Sequence, residues 1–510
     1  MIRLSRKPRA SVPVTDTTPR SGSTAKWDLL KGDLQSGGAS RHSETALRRP
    51  LQTFASVADA GQARLDAMSD TYDLIIRGAT VVNHDGTGER DIAIRGGRIA
   101  AIGALGAAKA SEALDARGLH VLPGVIDSQV HFREPGLEHK EDLHTGGRAA
   151  VAGGVTAVFE MPNTKPLTTD AAALADKVRR ARGRMHCDFA FYVGATRENI
   201  ADIPALEKLE ASAGIKVFMG ASTGDLLVED EASLDKIIAR TSRRAAFHSE
   251  DEARLRARAG LREHGNPATH PVWRDPEAAM IATQRLVRLA ETHRRRVHVL
   301  HISTADEIAW LRGHKDWATC EVTPHHLTLV APDCYERLGT FAQMNPPVRD
   351  DSHRQGIWAG IADGTVDVIG SDHAPHTAEE KHHPYPESHS GMTGVQTLVP
   401  LMLDHVNAGR LSLARLVDLT SAGPQRIFGI RGKGRIAIGY DADLTIVDLS
   451  RTETITNGWI QSRSQWTPYD GVKVKGWPVG TFVRGRRAMW QGEIEAQAGG
   501  EPVRFLEGVP

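Results

Sequence analysis

The sequence predicts an α/β protein in which a (β/α)8 TIM barrel is joined to a small β-sandwich domain formed by both chain ends. Three observations support this prediction. Between Leu122 and Ile430, eight apolar segments alternate with helical stretches, as the strands and helices of a parallel barrel do. Short strand-like segments separated by glycine turns occur at 72–102 and return at 434–493. Polar residues follow the central apolar segments, where barrel enzymes place their active sites.

The eight predicted barrel strands are short and rich in β-branched and aromatic residues. Their sequences are VLPGVIDSQVHF, GVTAVFEMP, DFAFYVGA, IKVFMGA, RRAAFHSE, RVHVLHI, ATCEVTP and VDVIGSDH. Amphipathic spacing predicts helices between most of them, for example over 170–182, 276–292 and 304–312. The main alternative is an open doubly wound sheet, but no GxGxxG turn supports it.

The composition divides the chain into three segments. We expect residues 1–70, rich in Ser, Thr, Arg, Ala and Gly, to be a disordered N-terminal extension. Residues 71–121 and 436–498 would form the composite β-sandwich, and residues 122–435 the barrel. Met68 directly precedes the first strand-like segment, so we expect residues 1–67 to reflect a misassigned start codon rather than a transit peptide.

Composition and charge exclude several classes of function. The 510 residues are 40% hydrophobic and 25% charged, with a formal net charge of +0, so nothing steers the whole chain toward nucleic acid or an anionic membrane. No apolar segment is long enough to span a bilayer. The 3 cysteines (187, 320 and 334) form no CxxC pair, which favours a reducing cytoplasm and argues against a thiolate zinc site. These features favour a cytoplasmic protein with neither a nucleic-acid nor a membrane partner.

The first barrel strand carries the most informative polar residues. Gln129 and His131 alternate with apolar residues, and Arg133 follows, so the three side chains can line one face. Two histidines at this spacing would indicate half of a metal site, and here a glutamine takes the first place. The other strand ends supply further polar residues: Asn163, Lys216, His248, His301, Asn345, Asp372 and His376.

A single histidine at a strand end is usually a hydrogen-bonded core or rim residue. Three histidines and an aspartate at four separate strand ends are difficult to explain by packing alone. Imidazole nitrogens and carboxylate oxygens are ligands that Zn²⁺ accepts. The pattern therefore predicts a metal site at the C-terminal ends of the barrel strands.

Motifs at every strand end resemble those of the cyclic amidohydrolases in the amidohydrolase superfamily, and most of all those of the dihydroorotases. The resemblance extends from about residue 72 to about residue 493, and HFREPG is specific for the dihydroorotase branch. The matching motifs are HFREPGLEHKED, FEMPNTKPLTT, IKVFMG, HSEDEARL, VLHISTADEI, EVTPHHL, MNPPVR, GSDHAPHTAEEK, GRIAIGYDADLTIVD and TPYDG.

The resemblance implies a zinc-dependent hydrolase of ring amides with one or two metal ions. Lys216 would be carboxylated and bridge two ions, with His248 and His301 on the more exposed ion. His131 and Asp372 would bind the more buried ion, where Gln129 replaces the expected histidine. From sequence alone, a lysine on a buried strand is equally well explained by an ion pair.

The resemblance also implies how substrate is bound and cleaved. Arg133, Asn163 and His376 would bind the carboxylate of dihydroorotate, and Asn345 with Ser390 and Gly391 would contact the ring. Asp372 would also be the catalytic base that moves a proton to the leaving ring nitrogen. Ser390-Gly391 stands where the family usually has Phe-Gly, so an aromatic wall is missing.

Gln129 leaves three outcomes open: two metals with Gln129 as an oxygen ligand, one tightly held metal, or loss of catalysis. Correspondingly, three functions are considered. The first is interconversion of dihydroorotate and carbamoyl aspartate in pyrimidine synthesis, and the second is hydrolysis of another ring such as hydantoin, dihydropyrimidine or allantoin. The third is an impaired homologue that serves as a scaffold for aspartate transcarbamoylase. A homodimer or homotetramer is expected from the resemblance.

Overall fold

The structure is a computed structural model that describes residues 71–221 and 226–506. The predicted disordered extension over 1–70 lies outside these ranges. The described strands form two sheets, one of eight strands and one of nine. The strands are β1 (Thr71–Asn83), β2 (Gly86–Arg95), β3 (Arg98–Gly103), β4 (Lys109–Asp115), β5 (His120–Pro123), β6 (Val125–Val130), β7 (Val155–Glu160), β8 (Asp188–Gly194), β9 (Ser212–Phe218), β10 (Ala245–His248), β11 (Val297–Val299), β12 (Ala318–Val322), β13 (Val368–Ile369), β14 (Leu444–Thr454), β15 (Lys473–Val483), β16 (Arg486–Trp490) and β17 (Glu493–Ile494).

The eight-stranded sheet is the predicted barrel, with strands β6 to β13 adjacent in chain order and parallel. A parallel bridge between Val130 and His373 brings the ends of β6 and of the segment after β13 together. The barrel strands are buried over their whole length, as expected for strands covered on both faces. The prediction of a parallel α/β barrel is confirmed.

Helices connect the barrel strands, and several predicted bounds agree to within one residue. The α-helices are α1 (Leu143–Ala152), α2 (Ala171–Ala181), α3 (Ile203–Leu206), α4 (Glu231–Arg240), α5 (Glu252–Arg258), α6 (His270–Trp273), α7 (Pro276–Thr292), α8 (Ala305–Leu311), α9 (Pro324–Thr328), α10 (Asp333–Leu338), α11 (Asp351–Ala362), α12 (Ala378–His382), α13 (Leu398–Asn407), α14 (Leu413–Val417) and α15 (Gly423–Phe428). Short 3₁₀ turns occupy 259–261, 267–269, 312–314, 339–342 and 457–459, and a π-turn spans 418–422.

Many of these helices begin where the sequence supplies a capping side chain. Asp170 accepts a hydrogen bond from the backbone of Ala173, and Asp275 from that of Ala278, before α2 and α7 respectively. Such caps satisfy backbone N–H groups that have no partner within the helix. Thr377 and Glu380 form a reciprocal capping box at the start of α12, in the loop after the last barrel strand.

The nine-stranded sheet is built from both ends of the described chain, as the sequence predicts. β5 pairs with β1 on one side and with β14 on the other, so the early and late strands meet in one sheet. The rest of the sheet is mostly antiparallel. The exact boundaries of the composite domain stay a prediction.

A buried ion cluster links the two sheets. The ammonium of Lys433 contacts Asp188, the first residue of barrel strand β8, and also Asp443, which directly precedes β14. Asp441 lies 3.3 Å from the same nitrogen. These carboxylates outweigh the effect of burial and hold the pKa of Lys433 well above its ordinary value. Lys433 therefore stays charged, and its contacts hold the barrel against the nine-stranded sheet.

The C-terminal segment packs across the barrel at the end opposite the predicted site. Val503 is buried, and its amide donates to the carbonyl of Phe189 on β8. The ring of Phe505 lies 5.6 Å from that of Phe159 inside the barrel. Among the described residues, no helix combines the length and apolar character that a membrane crossing requires.

The Lys433 cluster leads to a prediction about stability. Replacing Lys433 with Met leaves Asp188 and Asp443 buried without a cation, so the free energy of unfolding is expected to fall by about 3–5 kcal/mol. Urea denaturation at pH 7 measures the change, with the exposed Lys473→Met variant as control. A loss of less than about 1 kcal/mol, typical of a surface ion pair, would contradict this interpretation.

Candidate metal and substrate site

The first and last barrel strands bring three predicted site residues together. The Nε2 of Gln129 donates to Oδ1 of Asp372 at 2.9 Å, and Nε2 of His131 lies 3.3 Å from the same oxygen. The other ring nitrogen of His131 lies 2.8 Å from Oδ1 of Asn163. Gln129 thus contacts Asp372 through its amide N–H, and its carbonyl Oε1 is buried without a hydrogen-bond partner.

His248 and His301 form the second half of the site. His248 is the last residue of β10, and His301 lies two residues beyond the end of the adjacent strand β11. Nδ1 of His248 is 3.0 Å from Nε2 of His301, and both side chains are buried. Burial lowers the pKa of each imidazole, so both rings are neutral at pH 7.

A carboxylate fixes the proton of His248. Glu250 lies 2.8 Å from Nε2 of His248 and is itself held by the guanidinium of Arg274 at 2.5 and 3.1 Å. Burial alone would raise the pKa of Glu250, but Arg274 and His248 outweigh it and keep the pKa well below its ordinary value. The anionic Glu250 therefore holds the proton on Nε2, and the lone pair of Nδ1 is directed toward His301, an arrangement typical of metal-binding histidines.

Lys216 lies on β9, beside these histidines. Its strand register pairs it with Ala246, two residues before His248. The amine is buried, has no hydrogen-bond partner, and lies 4.4 Å from the centre of the Phe218 ring. Burial lowers the pKa of Lys216 to about 7, with Asp372 and Glu321 opposing the shift. A substantial fraction of the amine is therefore neutral at physiological pH.

The donor atoms fit a divalent cation once the lysine is modified. Across residues 71–221 and 226–506, no three His, Cys, Asp or Glu side chains already form a group that could hold a metal ion. His248 and His301 form one half of the site with Lys216. His131 and Asp372 form the other half with Gln129. Three buried atoms without partners, Lys216 Nζ, His301 Nδ1 and Gln129 Oε1, lie in these two halves. The roles of all six residues as ligands stay a prediction.

Arg133 and His376 form a basic pocket beside the metal-site residues. NH2 of Arg133 lies 3.2 Å from Nε2 of His376, which lies 3.1 Å from the carbonyl of Ser390, while Nδ1 faces the ammonium of Lys140 at 3.1 Å. Burial and the neighbouring Arg133 hold the pKa of His376 well below its ordinary value, so its ring is neutral. Nδ1 also lies 3.5 Å from a carboxylate oxygen of Glu380. The neutral ring can therefore accept from Lys140 at Nδ1 and donate to Ser390 from Nε2, or donate to Glu380 from Nδ1 and accept from Arg133 at Nε2.

In the first tautomer Arg133 has no acceptor on His376, and in the second NH2 of Arg133 donates to Nε2. Burial lowers the pKa of Arg133 to about 10, so the guanidinium stays charged at pH 7. Its Nε donates to the carbonyl of Pro375 at 3.1 Å, which fixes the plane of the group. A buried guanidinium held in a fixed plane is suited to bind a carboxylate.

Two of the three predicted ring-contacting residues line a cavity of about 220 Å³. Asn345 and Ser390 are among its walls, and Oδ1 of Asn345 lies 3.0 Å from His270. The hydroxyl of Ser390 accepts from the amide of Gln343 at 2.9 Å. Gly391 has a φ of 145°, and a Cβ there would lie 2.3 Å from the carbonyl of Ala374, so only glycine fits.

Three of the predicted site residues have left-handed backbone conformations. Arg133, His301 and Asp372 have φ values of 65°, 38° and 49°. Each lies two or three residues beyond the end of a barrel strand. Non-glycine residues pay roughly 1–3 kcal/mol for such conformations, which are typically retained where function requires a particular side-chain direction.

Several residues with evident roles were not assigned any from the sequence. Lys140 contacts both His376 and Glu380, and Lys381 is a buried lysine in the same loop. Lys140 lies in the motif HFREPGLEHKED, and Lys381 lies in GSDHAPHTAEEK. Their place in these motifs is the sequence feature that could have identified them. Arg274, which holds Glu250, lies outside every motif, so nothing in the sequence could have identified it.

Comparison with known proteins identifies the family to which the chain is related. Residues 120–488 match the model of the amidohydrolase family. A dihydroorotase of Halobacterium salinarum is 38% identical over 418 residues, which are 81% of this chain and 96% of that protein. A dihydroorotase of Methanothermobacter thermautotrophicus is 36% identical over 408 residues, covering 79% of this chain and 92% of that protein.

A solved structure resembles this protein in both fold and sequence. The L-hydantoinase (dihydropyrimidinase) from Arthrobacter aurescens superposes with a TM-score of 0.81 at 31% identity, covering 85% of this chain and all of that one (100%). The family model matches most of the chain, and the relatives exceed 30% identity over most of both lengths. The chain belongs to the amidohydrolase family.

Proposed function

We propose that this protein interconverts dihydroorotate and N-carbamoyl-aspartate, a step of pyrimidine synthesis, as a metal-dependent cyclic amidohydrolase of the cytoplasm. The observation that carries the proposal is the buried, unpartnered amine of Lys216 beside the paired imidazoles of His248 and His301. The charged, buried Arg133 favours a ring that bears a carboxylate. The dihydroorotase relatives support the same substrate.

The residues present fit Zn²⁺, and at least one ion would be held by His248, His301 and carboxylated Lys216. His131 and Asp372, with Gln129, would hold a second ion more weakly, because a neutral amide is a poorer ligand than imidazole. When bound, the metal supplies a hydroxide at working pH and polarises the ring carbonyl.

Carboxylation of Lys216 requires a neutral amine, whose lone pair forms the N–C bond with CO₂ while a proton leaves. Burial lowers the pKa of Lys216 to about 7, which makes the neutral form available. The resulting carbamate is an anion with two oxygens. It would convert a costly buried amine into a ligand for the metal beside His248 and His301.

The substrate would be bound by residues on the remaining strand ends. Arg133 would bind the substrate carboxylate through two parallel N–H donors, with Asn163 and His376 completing this part of the pocket. Asn345, Ser390 and Gly391 would contact the ring amide from the cavity wall.

Asp372 would transfer the proton during hydrolysis. The carboxylate accepts a proton from the attacking water as oxygen bonds to the ring carbonyl carbon. The same proton passes to the ring nitrogen as the C–N bond breaks, which yields the carbamoyl amino acid. Gln129 and His131 both contact Oδ1 of Asp372 and so orient the group.

A second candidate is hydrolysis of another cyclic amide, such as hydantoin, dihydropyrimidine or allantoin. An L-hydantoinase of Paenarthrobacter aurescens is 32% identical over 449 residues, which supports this alternative. Ser390, in place of the aromatic residue usual there, leaves a more polar ring pocket. The two candidates share one reaction and differ in whether Arg133 has a carboxylate to bind.

Gln129 supports a third candidate, a catalytically impaired homologue that serves as a scaffold for aspartate transcarbamoylase. In that case Gln129 would leave Asp372 satisfied by an amide rather than by a metal ion. Homo-oligomerisation, as a dimer or tetramer, is compatible with all three candidates. Co-purification with a transcarbamoylase, together with absence of turnover of every cyclic amide, would favour the scaffold.

A substrate panel tests the proposed function directly. Zinc-loaded protein is expected to hydrolyse dihydroorotate with a kcat/KM at least about tenfold above that for dihydrouracil, hydantoin or allantoin, because only dihydroorotate offers a carboxylate to Arg133. Ring opening is followed by the loss of amide absorbance. Preference for a neutral ring would support the second candidate instead.

Replacing Arg133 with Met is expected to lower kcat/KM for dihydroorotate by about 100-fold or more, since a buried charge-assisted interaction is lost. Zinc content should remain unchanged, and hydrolysis of neutral rings should change little. Arg148→Met is the control, because Arg148 donates to Gln461 in a part-buried position away from the site. An Arg133→Met variant with unimpaired dihydroorotate turnover would reject the carboxylate assignment.

Metal content distinguishes the roles of the two halves of the site. The wild type is expected to retain about one zinc per chain, Gln129→His about two, and His301→Ala less than about half an ion after dialysis. Elemental analysis gives the stoichiometry, and intact mass with and without ¹³C-bicarbonate reports carboxylation of Lys216. Retention of full zinc by His301→Ala would contradict the assignment of the tighter site.

A further inference from the structure

Lys381 is a fully buried lysine whose contacts are unlike those of most other buried lysines in the described chain. It lies in α12, and its ammonium donates to three main-chain carbonyls: Gln343 at 3.2 Å, His389 at 2.8 Å and Gly391 at 3.0 Å. The Trp466 ring lies 5.7 Å from the same nitrogen. The proposed reaction assigns this residue no part.

The other buried lysines, apart from Lys216, are paired with carboxylates. Lys177 contacts Glu160, and Lys433 contacts Asp188 and its neighbours. Within residues 71–221 and 226–506, no salt bridge reaches Lys381. Burial opposes its charged form, but the three carbonyl acceptors favour it, because only an ammonium offers three N–H donors. Burying a cation without a counter-ion is costly, so the three carbonyls are the groups that offset this cost.

The three carbonyls belong to two segments that carry the residues proposed to contact the ring. Gln343 lies two residues before Asn345, while His389 and Gly391 flank Ser390. The side chain of Gln343 reinforces the connection, because it donates to Ser390 Oγ at 2.9 Å and accepts from Ser388 Oγ at 2.6 Å. The amide of Gly391 also donates to the carbonyl of Gln343 at 2.8 Å.

These contacts connect the two walls of the cavity of about 220 Å³, which Gln343, Asn345, Ser388, His389 and Ser390 help to line. One ammonium with three N–H donors, directed at both walls, fixes their spacing. A side chain without donors at this place would remove the Lys381 hydrogen bonds of the His389 and Gly391 carbonyls, at a cost of about 1–3 kcal/mol each, while the Gln343 carbonyl would keep the amide of Gly391. The walls would then separate or admit water.

We propose that Lys381 is a positioning residue that holds the Ser390–Gly391 wall against the Asn345 wall and thereby sets which ring the cavity accepts. The inference rests on the proposed cyclic amidohydrolase function and assigns a specificity role to a residue outside the metal and carboxylate sites. Lys381 acts through the main chain of its neighbours and does not touch the reacting atoms. Its loss therefore weakens ring binding more than it slows the chemical step.

Lys381→Met and Lys381→Arg, in the zinc-loaded full-length protein, test this proposal. Lys381→Met is expected to raise KM for dihydroorotate about tenfold with kcat changed less than about twofold, because a binding wall and not a proton-transfer group is affected. Lys381→Arg keeps several N–H donors and should recover part of the loss. Lys315→Met is the control, since Lys315 also donates to a main-chain carbonyl, that of Thr365, at the opposite end of the barrel.

Hydrogen exchange gives a readout that does not depend on turnover. Amides of residues 388–391 are expected to exchange about tenfold faster in Lys381→Met than in wild type or Lys315→Met, while the barrel strands keep their protection. If Lys381→Met does not fold, Lys381→Gln, which retains two donors, should show the same local change. Unchanged exchange and unchanged KM would overturn the proposal. Faster exchange in a protein that hydrolyses no cyclic amide would uphold the positioning role and reject only the proposed function.

Discussion

A lysine amine buried without a partner inside the barrel is the constraint on which the site depends. Lys216 lies on β9, which pairs with β8 and β10, and its side chain is buried inside the barrel. An ammonium in such surroundings costs several kcal/mol relative to water, and the structure accommodates it only by lowering its pKa to about 7. Any group that converts this amine into a bound anion relieves the cost. The state of Lys216 Nζ therefore affects both the stability of the barrel and the chemistry that we propose for the site.

The charges around Asp372 follow from the same constraint. Asp372 attracts both Lys216 and Arg133, and its contribution opposes the lowering of their pKa values by burial. Gln129 adds only a dipole, because its amide is neutral. A histidine in its place could share a metal ion with Asp372, whereas the glutamine leaves the charged Arg133 to balance the carboxylate. The substitution thus changes how the negative charge is balanced without removing the carboxylate.

The sequence was sufficient for the barrel because its signals are local. Eight short apolar segments and capping residues such as Asp170 and Asp275 specify strands and helix starts without reference to distant residues. Parallel strands then bring their C-terminal ends together, so residues as distant in sequence as Gln129 and Asp372 could be predicted to meet. The C-terminal segment, where Val503 packs beneath the barrel, carries no such periodicity and was not predicted.

The parts of the site that sequence could not provide are those set by loops. Arg274 is recruited to Glu250 across 24 residues, and Lys381 binds carbonyls on segments 38 residues before it and up to 10 after it. These partners are main-chain atoms or unpatterned side chains, so no spacing rule identifies them. Only the folded loops determine which carbonyls lie within reach of an ammonium.

The strained residues explain why the strand ends and the loops have to cooperate. A side chain two or three residues beyond a parallel strand does not continue the strand's alternation, so facing the barrel axis requires a different backbone direction. Arg133, His301 and Asp372 obtain it through positive φ values, at roughly 1–3 kcal/mol each. Hydrogen bonds fix the side chains of two of them: the Pro375 carbonyl, in the loop after β13, accepts from Arg133, and the amide of Gln129, on β6, donates to Asp372. The barrel therefore supplies the positions of the functional groups, and the loops supply their directions.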